Sequence, residues 1–237
     1  MTVGIIVQTR TGSTRLPGKV MMKADDKLLM IDYVINQLKH SKLYDEIVIA
    51  TTNLKQDDVI FDYVTNRNIL CFRGDEKNVL ERHYQCAKKY TFSTIVRIPS
   101  DKPLIDPTIV DDAIEKFWTE KEATALRSVH EMSQTAYKSF QLNQNHLACL
   151  CTGSMDLDAA NLPRQQFPKT YQPNGYVDVL KSEFILNNNQ LHGNKVLAYI
   201  TPHVKEVDVA EDFSYLLYQI NHHKEMFSRL FDVQSNS

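Results

Sequence analysis

The sequence lacks any apolar run approaching the length that crosses a bilayer. No basic segment leading into an apolar stretch follows Met1. A cytoplasmic protein without a membrane partner is therefore expected. Cysteine is sparse. Cys71, Cys86, Cys149 and Cys151 contain no CxxC pair and no histidine at zinc-finger spacing, so reduced thiols acting as small hydrophobes are expected. Positive charge is not in excess: 27 Lys and Arg against 29 Asp and Glu leave a net charge of −2. That argues against a general nucleic-acid binder and makes any anion site a local one. The phosphate-cradling pattern GxxxxGK[ST] is absent, as is the dinucleotide fingerprint GxGxxG. The eight histidines form no catalytic pattern, and Ser13 and Ser100 have no base-and-acid partners of the hydrolase kind. Internal repeats and low-complexity segments are also missing.

What is present is a chain of 237 residues with ordinary apolar and charged content, long enough for one α/β domain carrying an insertion. Its organising stretch is Ile5 to Met22. Val3–Gln8 reads as a buried strand, and the loop after it holds Arg10, Thr11, Gly12, Ser13, Thr14, Arg15, Pro17, Gly18 and Lys19. Three cations, three hydroxyls and two glycines at a strand end suit a polyanion such as a triphosphate.

Apolar spacing then predicts a helix from Leu28 to His40, a strand at Glu46–Thr51 and a helix beginning near Asp57 and Asp58. A strand at Ile69–Phe72, a helix from Val79, a strand at Thr94–Ile98 and a helix opened by Pro107 follow. Strand and helix alternate four times, which predicts a mostly parallel sheet sandwiched by helices. Ligands of such sheets bind beyond the carboxyl ends of the strands, where the polar loops after strands one, three and four converge. After Trp118 the rhythm changes. Residues of about 130–200 read as an insertion or subdomain on a single domain spanning 1–237. Val204–Val209 is strand-like, a last helix starts at Glu211, and the tail after Val233 is expected to fray.

Carboxylates supply the second half of the reading. Asp101 sits at a strand end between Pro99 and Pro103, while Glu206 and Asp208, two apart, would face the same way in a strand. Mg²⁺ takes one or two carboxylates together with phosphate oxygens and water, so Asp101, Glu206 and Asp208 are the expected metal ligands opposite the basic loop. Tyr171, Tyr176 and Tyr199 are most simply packing or interface aromatics.

The motifs also carry a family likeness. TRTGSTRLPGKV resembles the triphosphate-binding signature of the sugar-activating cytidylyltransferases, the acylneuraminate (CMP-sialic acid) synthetases and their CMP-Kdo relatives. RIPSDKPLIDP (97–107) is similar to that family's RxxGDxPLIxP segment, with Ser100 in place of glycine. PRQQFPKTYQPNGYVDV (163–179) resembles its PRQ…NG run, with Asp178 near a usual Ile or Tyr. EVDVAED (206–212) resembles DIDTxxD, with Glu206 in place of the first aspartate.

The resemblance implies a Rossmann-like nucleotidyltransferase fold with a smaller dimerisation subdomain, and a homodimer. It implies transfer of CMP from CTP to the anomeric hydroxyl of a 2-keto sugar acid, releasing pyrophosphate, with Mg²⁺. Arg10, Lys19 and Asp208 would carry the chemistry, Arg10, Ser13, Arg15 and Lys19 would bind the triphosphate, and Asp101 would belong to the nucleotide site. Ala50, Thr51 and Arg73 would border cytosine and ribose. Lys138, Arg164, Gln165 and Asn174 would meet the acceptor, in part across a dimer interface. The rival readings are a sugar-1-phosphate nucleotidyltransferase using another NTP and a non-catalytic nucleotide-sugar binder.

Overall fold

A computed structural model describes residues 1–202 and 204–223; the tail expected to fray lies outside them. Strand β1 (Val3–Gln8) is a five-residue apolar run, Val3 to Val7, with every side chain buried. Such a run suits a central strand covered on both faces. Around it a seven-stranded sheet forms from β2 (Glu46–Thr52), β3 (Leu70–Gly74), β4 (Thr94–Pro99), β5 (Ala125–Glu131), β8 (Tyr171–Lys181) and β9 (Val196–Ile200). The spatial order is β3-β2-β1-β4-β8-β5-β9. All pairings are parallel except those of β8, which runs against both β4 and β5. This is an α/β architecture, mostly parallel as the alternation predicts.

Side-chain alternation along β1 divides the core. Ile5 and Val7 pack against α1 (Met30–Leu38), α2 (Asp58–Thr65), α4 (Pro107–Thr119) and α6 (Ala210–His222). Ile6 points the other way, to α3 (Val79–Tyr90) and α5 (Ser182–Asn188). Gly4 shares that second face, where a Cβ would lie 2.1 Å from the Phe92 ring. Only glycine lets the ring close over the strand there. No described helix is long and apolar enough to cross a membrane.

Two readings of the sequence need correction. The expected subdomain of about 130–200 is smaller. From Tyr171 the chain returns to the central sheet as β8, and α5 and β9 follow as part of the same body. Only residues 132–170 leave it, as a hairpin of β6 (Phe140–Asn143) and β7 (His146–Cys149) with short helical turns. Val204–Val209, expected as a strand, has no assigned strand among its described residues. It is tied down by a hydrogen bond from Val207 N–H to the Asp101 carbonyl, 2.9 Å.

Candidate active site

The loop after β1 folds back on itself through Asp57, at the start of α2. Its carboxylate accepts from Thr11 N–H at 2.7 Å and from the Thr11 hydroxyl at 2.6 Å, and also from Thr52. The Thr11 carbonyl in turn accepts from Ser13 N–H at 2.8 Å and Gly18 N–H at 2.9 Å. Gly18 sits at φ +71°, left-handed backbone that glycine adopts without steric cost, and this starts the single turn Lys19–Met21. The turn drives Lys19 inward until its side chain is 9% exposed.

There Lys19 Nζ donates to the Val207 carbonyl at 2.5 Å and to Asp208 Oδ1 at 3.0 Å, with Asp101 Oδ2 at 3.6 Å. Arg15 closes on the other oxygen of Asp208 at 2.6 Å. The amino-terminal cations and carboxyl-terminal acids, about 190 positions apart, thus share one site. A buried ammonium is held there by two carboxylates, which offset the desolvation of all three groups. Burial pushes the Asp208 carboxyl up. The hydrogen bond and charge of Lys19 and the charge of Arg15 outweigh burial and leave it below its ordinary value.

Two clefts meet at this cluster. The first, of about 270 Å³, is lined by the loop, including Arg10, Ser13, Arg15 and Lys19, together with Ser100, Asp101 and Asp208. Arg10 also pairs with Glu76, 3.2 Å away and outside the cleft. The second, of about 520 Å³, lies beyond β4, β5 and β8 and is lined by Arg97, Lys102, Arg127, Asn174, Asp178 and Glu206 among others. Arg15, Pro99, Asp101 and Asp208 belong to both. The second cleft's floor is a row of three charges. Asp178 on β8 faces Arg97 on β4 and Arg127 on β5 in register. Arg97 donates to Asp178 at 2.9 Å, Arg127 Nε lies 3.8 Å away and His192 3.4 Å. Burial raises the Asp178 carboxyl, but the His192 hydrogen bond and the two arginine charges bring it below its ordinary value.

Several expected site residues lie elsewhere. Ala50 and Thr51 are completely buried within β2 and line neither cleft. Arg73 is held by Asp58 at 2.6 Å and by the carbonyls of Thr52 and Leu54, so it braces the β2–α2 connection. Lys138 donates to the Leu162 carbonyl and Arg164 to Glu131; with Gln165 they stand outside both clefts of this chain. Asn174 lines the second cleft, yet its amide is used in shaping β8. It donates to Thr201 at 2.7 Å and accepts from Tyr176 N–H at 3.1 Å.

The expected three-carboxylate metal set does not assemble. Among the described residues no group of three or more His, Cys, Asp and Glu side chains is placed to hold a metal ion. Glu206 is drawn instead to the buried Lys102, 2.7 Å away. Asp101 and Asp208 alone do fit Mg²⁺ chemistry. They are two oxygen ligands flanking one cation, and Asp101 Oδ1 is buried without a hydrogen bond. Arg97, Arg127, Asp178 and Lys102 were not anticipated. The readable signal was a lone charge inside each apolar strand: TIVRIP, ALRSV and YVDVL.

Comparison with known proteins bears on this geometry. A family profile described as cytidylyltransferase matches residues 4–215. An uncharacterised protein of Methanocaldococcus jannaschii is 40% identical over 110 residues, covering 46% of this chain and 45% of its own length. Spore coat polysaccharide biosynthesis protein SpsF of Bacillus subtilis is 34% identical over 114 residues, 46% of this chain and 47% of its own. A 3-deoxy-manno-octulosonate cytidylyltransferase of Trichlorobacter lovleyi is 31% identical over 117 residues, 49% and 45%. The chain spans about half the length of these curated relatives. Among solved structures, a CMP:2-keto-3-deoxy-manno-octonic acid synthetase complexed with CTP superposes with a TM-score of 0.70 at 14% identity. That match covers 94% of this chain and 100% of the other, and at that identity it speaks for the fold alone. Because the profile takes in the loop after β1, the whole sheet and the Asp208 segment, this chain belongs to the cytidylyltransferase family.

Proposed function

We propose that the protein is a CMP-sugar synthetase. It transfers CMP from CTP to the anomeric hydroxyl of a 2-keto sugar acid and releases pyrophosphate. The observation that carries this is the junction of two clefts at Arg15, Asp101 and Asp208. A nucleotide seated along the loop and an acceptor seated on the β4–β8–β5 floor would meet there. The relatives named 3-deoxy-manno-octulosonate cytidylyltransferases supply the class of acceptor.

The residues have simple tasks. Arg10, Ser13, Arg15 and Lys19 line the loop cleft and would take the phosphate oxygens, with Lys19 and Arg15 nearest the reacting phosphorus. Fixed cations along the cleft would stabilise the charge that builds on the leaving pyrophosphate. Asp101 and Asp208 would hold Mg²⁺, which when bound supplies charge neutralisation on the phosphoryl oxygens. Holding acceptor hydroxyl and α-phosphorus in line supplies the rest of the acceleration. Lys138, Arg164 and Gln165 would reach an acceptor only from a second copy, which fits a homodimer formed through the 132–170 excursion. Phe140, Leu142, Leu147, Leu150 and Met155 are exposed on it.

The test is pyrophosphate release with CTP, UTP or GTP against a panel of 2-keto sugar acids and sugar 1-phosphates, with and without Mg²⁺. Release confined to CTP with a sugar acid is expected. Turnover of sugar 1-phosphates with another nucleotide would replace this reading.

A further inference from the structure

Five cationic side chains line the acceptor-side cleft: Arg15, Arg97, Lys102, Arg127 and Lys205. Four of them are closely paired with an acidic side chain. Arg15 is on Asp208 at 2.6 Å, Lys102 on Glu206 at 2.7 Å and Lys205 on Asp212 at 3.0 Å. Arg97 uses all its nitrogens, one on Asp178 and two on the Gln8 side chain. Arg127 differs. Its Nε is buried, makes no hydrogen bond and faces Asp178 Oδ1 at 3.8 Å. Its terminal nitrogens make no hydrogen bond to any described residue, and its side chain is 39% exposed.

The sheet explains this placement. Arg97, Asp178 and Arg127 stand in one row across β4, β8 and β5, so their side chains share a face. One carboxylate between two guanidiniums leaves the row with one positive charge over. Past Arg127 the ladder breaks: four residues of β8, Asn174 to Val177, stand against Ser128 alone. Gly175 takes φ +59° there, and Val177 N–H bonds the Ser128 hydroxyl at 2.9 Å. Bulges of this kind re-aim the side chains beside them.

We propose that the Arg127 guanidinium, braced by Asp178, receives the carboxylate of the acceptor sugar acid. This rests on the cytidylyl-transfer reading and goes beyond it by naming the residue that selects an acid. A carboxylate takes two parallel N–H donors, and the two terminal nitrogens of Arg127 offer them. In a 2-keto sugar acid the carboxylate is bonded to the anomeric carbon, so its anchor must border the cleft that contains Asp208, as Arg127 does. Arg164, the arginine expected from the family likeness, is paired with Glu131 outside that cleft. Asp178 is then a positioning residue, setting the guanidinium plane without touching the acceptor.

The experiment compares 3-deoxy-manno-octulosonate and N-acetylneuraminate with their primary amides, which keep shape and lose charge. It measures kcat/KM for each in pyrophosphate release, with the KM for CTP as a control on folding. The wild type should prefer acid to amide on the order of a hundredfold. In Arg127→Gln that preference should collapse to near unity while the KM for CTP holds, and Arg127→Lys should restore part of it. Undiminished preference in a folded Arg127→Gln protein overturns the proposal and leaves cytidylyl transfer standing. Failure of the wild type to use any acid removes both. Loss of the preference in Arg164→Gln, with Arg127→Gln unaffected, transfers the role to Arg164.

Discussion

Lys19 and Asp208 form the contact on which the site turns, and each compensates the other's burial. Lys19→Ala removes the only ammonium that touches both Asp101 and Asp208 among the described residues, leaving two carboxylates to repel an incoming triphosphate. A fall in kcat/KM of about a hundredfold or more is expected, dominated by CTP affinity and measurable by pyrophosphate release and CTP titration. Asp208→Ala should lose as much, but in kcat, because Lys19 stays near the phosphates. Both effects belong to residue types that the sequence displays openly, a basic loop and an acidic segment. The charge row was harder to see. Asp178 lies 81 positions from Arg97 and 51 from Arg127, and nothing local announces that one strand inserts between the other two. Arg73 shows the opposite case. A cation at a strand end looks available until Asp58 and two carbonyls are found around it.

Among the elements, the loop after β1 owes its shape to Asp57, a residue read from the sequence only as a helix start. Asp57→Ala strands the Thr11 N–H and the buried Thr52 hydroxyl, so a loss of about 2–4 kcal/mol in urea unfolding is expected, with a raised KM for CTP. Helix α3 carries a separate liability. His83 is fully buried, and burial pushes its pKa down to about 4. The unfolded chain therefore takes up that proton first, from about pH 6.5 downward, and stability drains away as pH falls from there to 4. At about 1.4 kcal/mol for each pH unit that is about 3 kcal/mol in all. His83→Leu should flatten the unfolding profile over this window, as denaturant titrations at pH 4.5 and 7 would show. Legibility at this scale followed contiguity. β1 to α4 were visible because each is one unbroken apolar pattern. Val204–Val209 has the pattern, but its described residues make no strand ladder: Val207 N–H bonds the Asp101 carbonyl and the Val209 carbonyl accepts from Phe213 N–H, and pairing is not encoded by alternation.

For the whole molecule, the parallel half of the sheet was legible as strand–helix alternation, and the late strands were not. A polar, proline-bearing stretch precedes β8, so its return to the centre looked like more of the insertion. What does leave the sheet is an apolar-tipped hairpin: Leu142 is 78% exposed and Leu147 44%. If the proposed homodimer forms there, Leu142→Asp with Leu147→Asp should halve the mass measured by light scattering and leave CTP binding in place. The strand order has one more effect, which concerns synthesis. β5 finds its partners only in β8 and β9, both made after it, and β4 meets β5 only through β8. A nascent chain can pair β1 to β4 early, while Arg97 and Arg127 stay unconnected until residues 171–181 have left the ribosome. Both clefts wait longer still, because Asp208, which lines each of them, is made after every strand of the sheet.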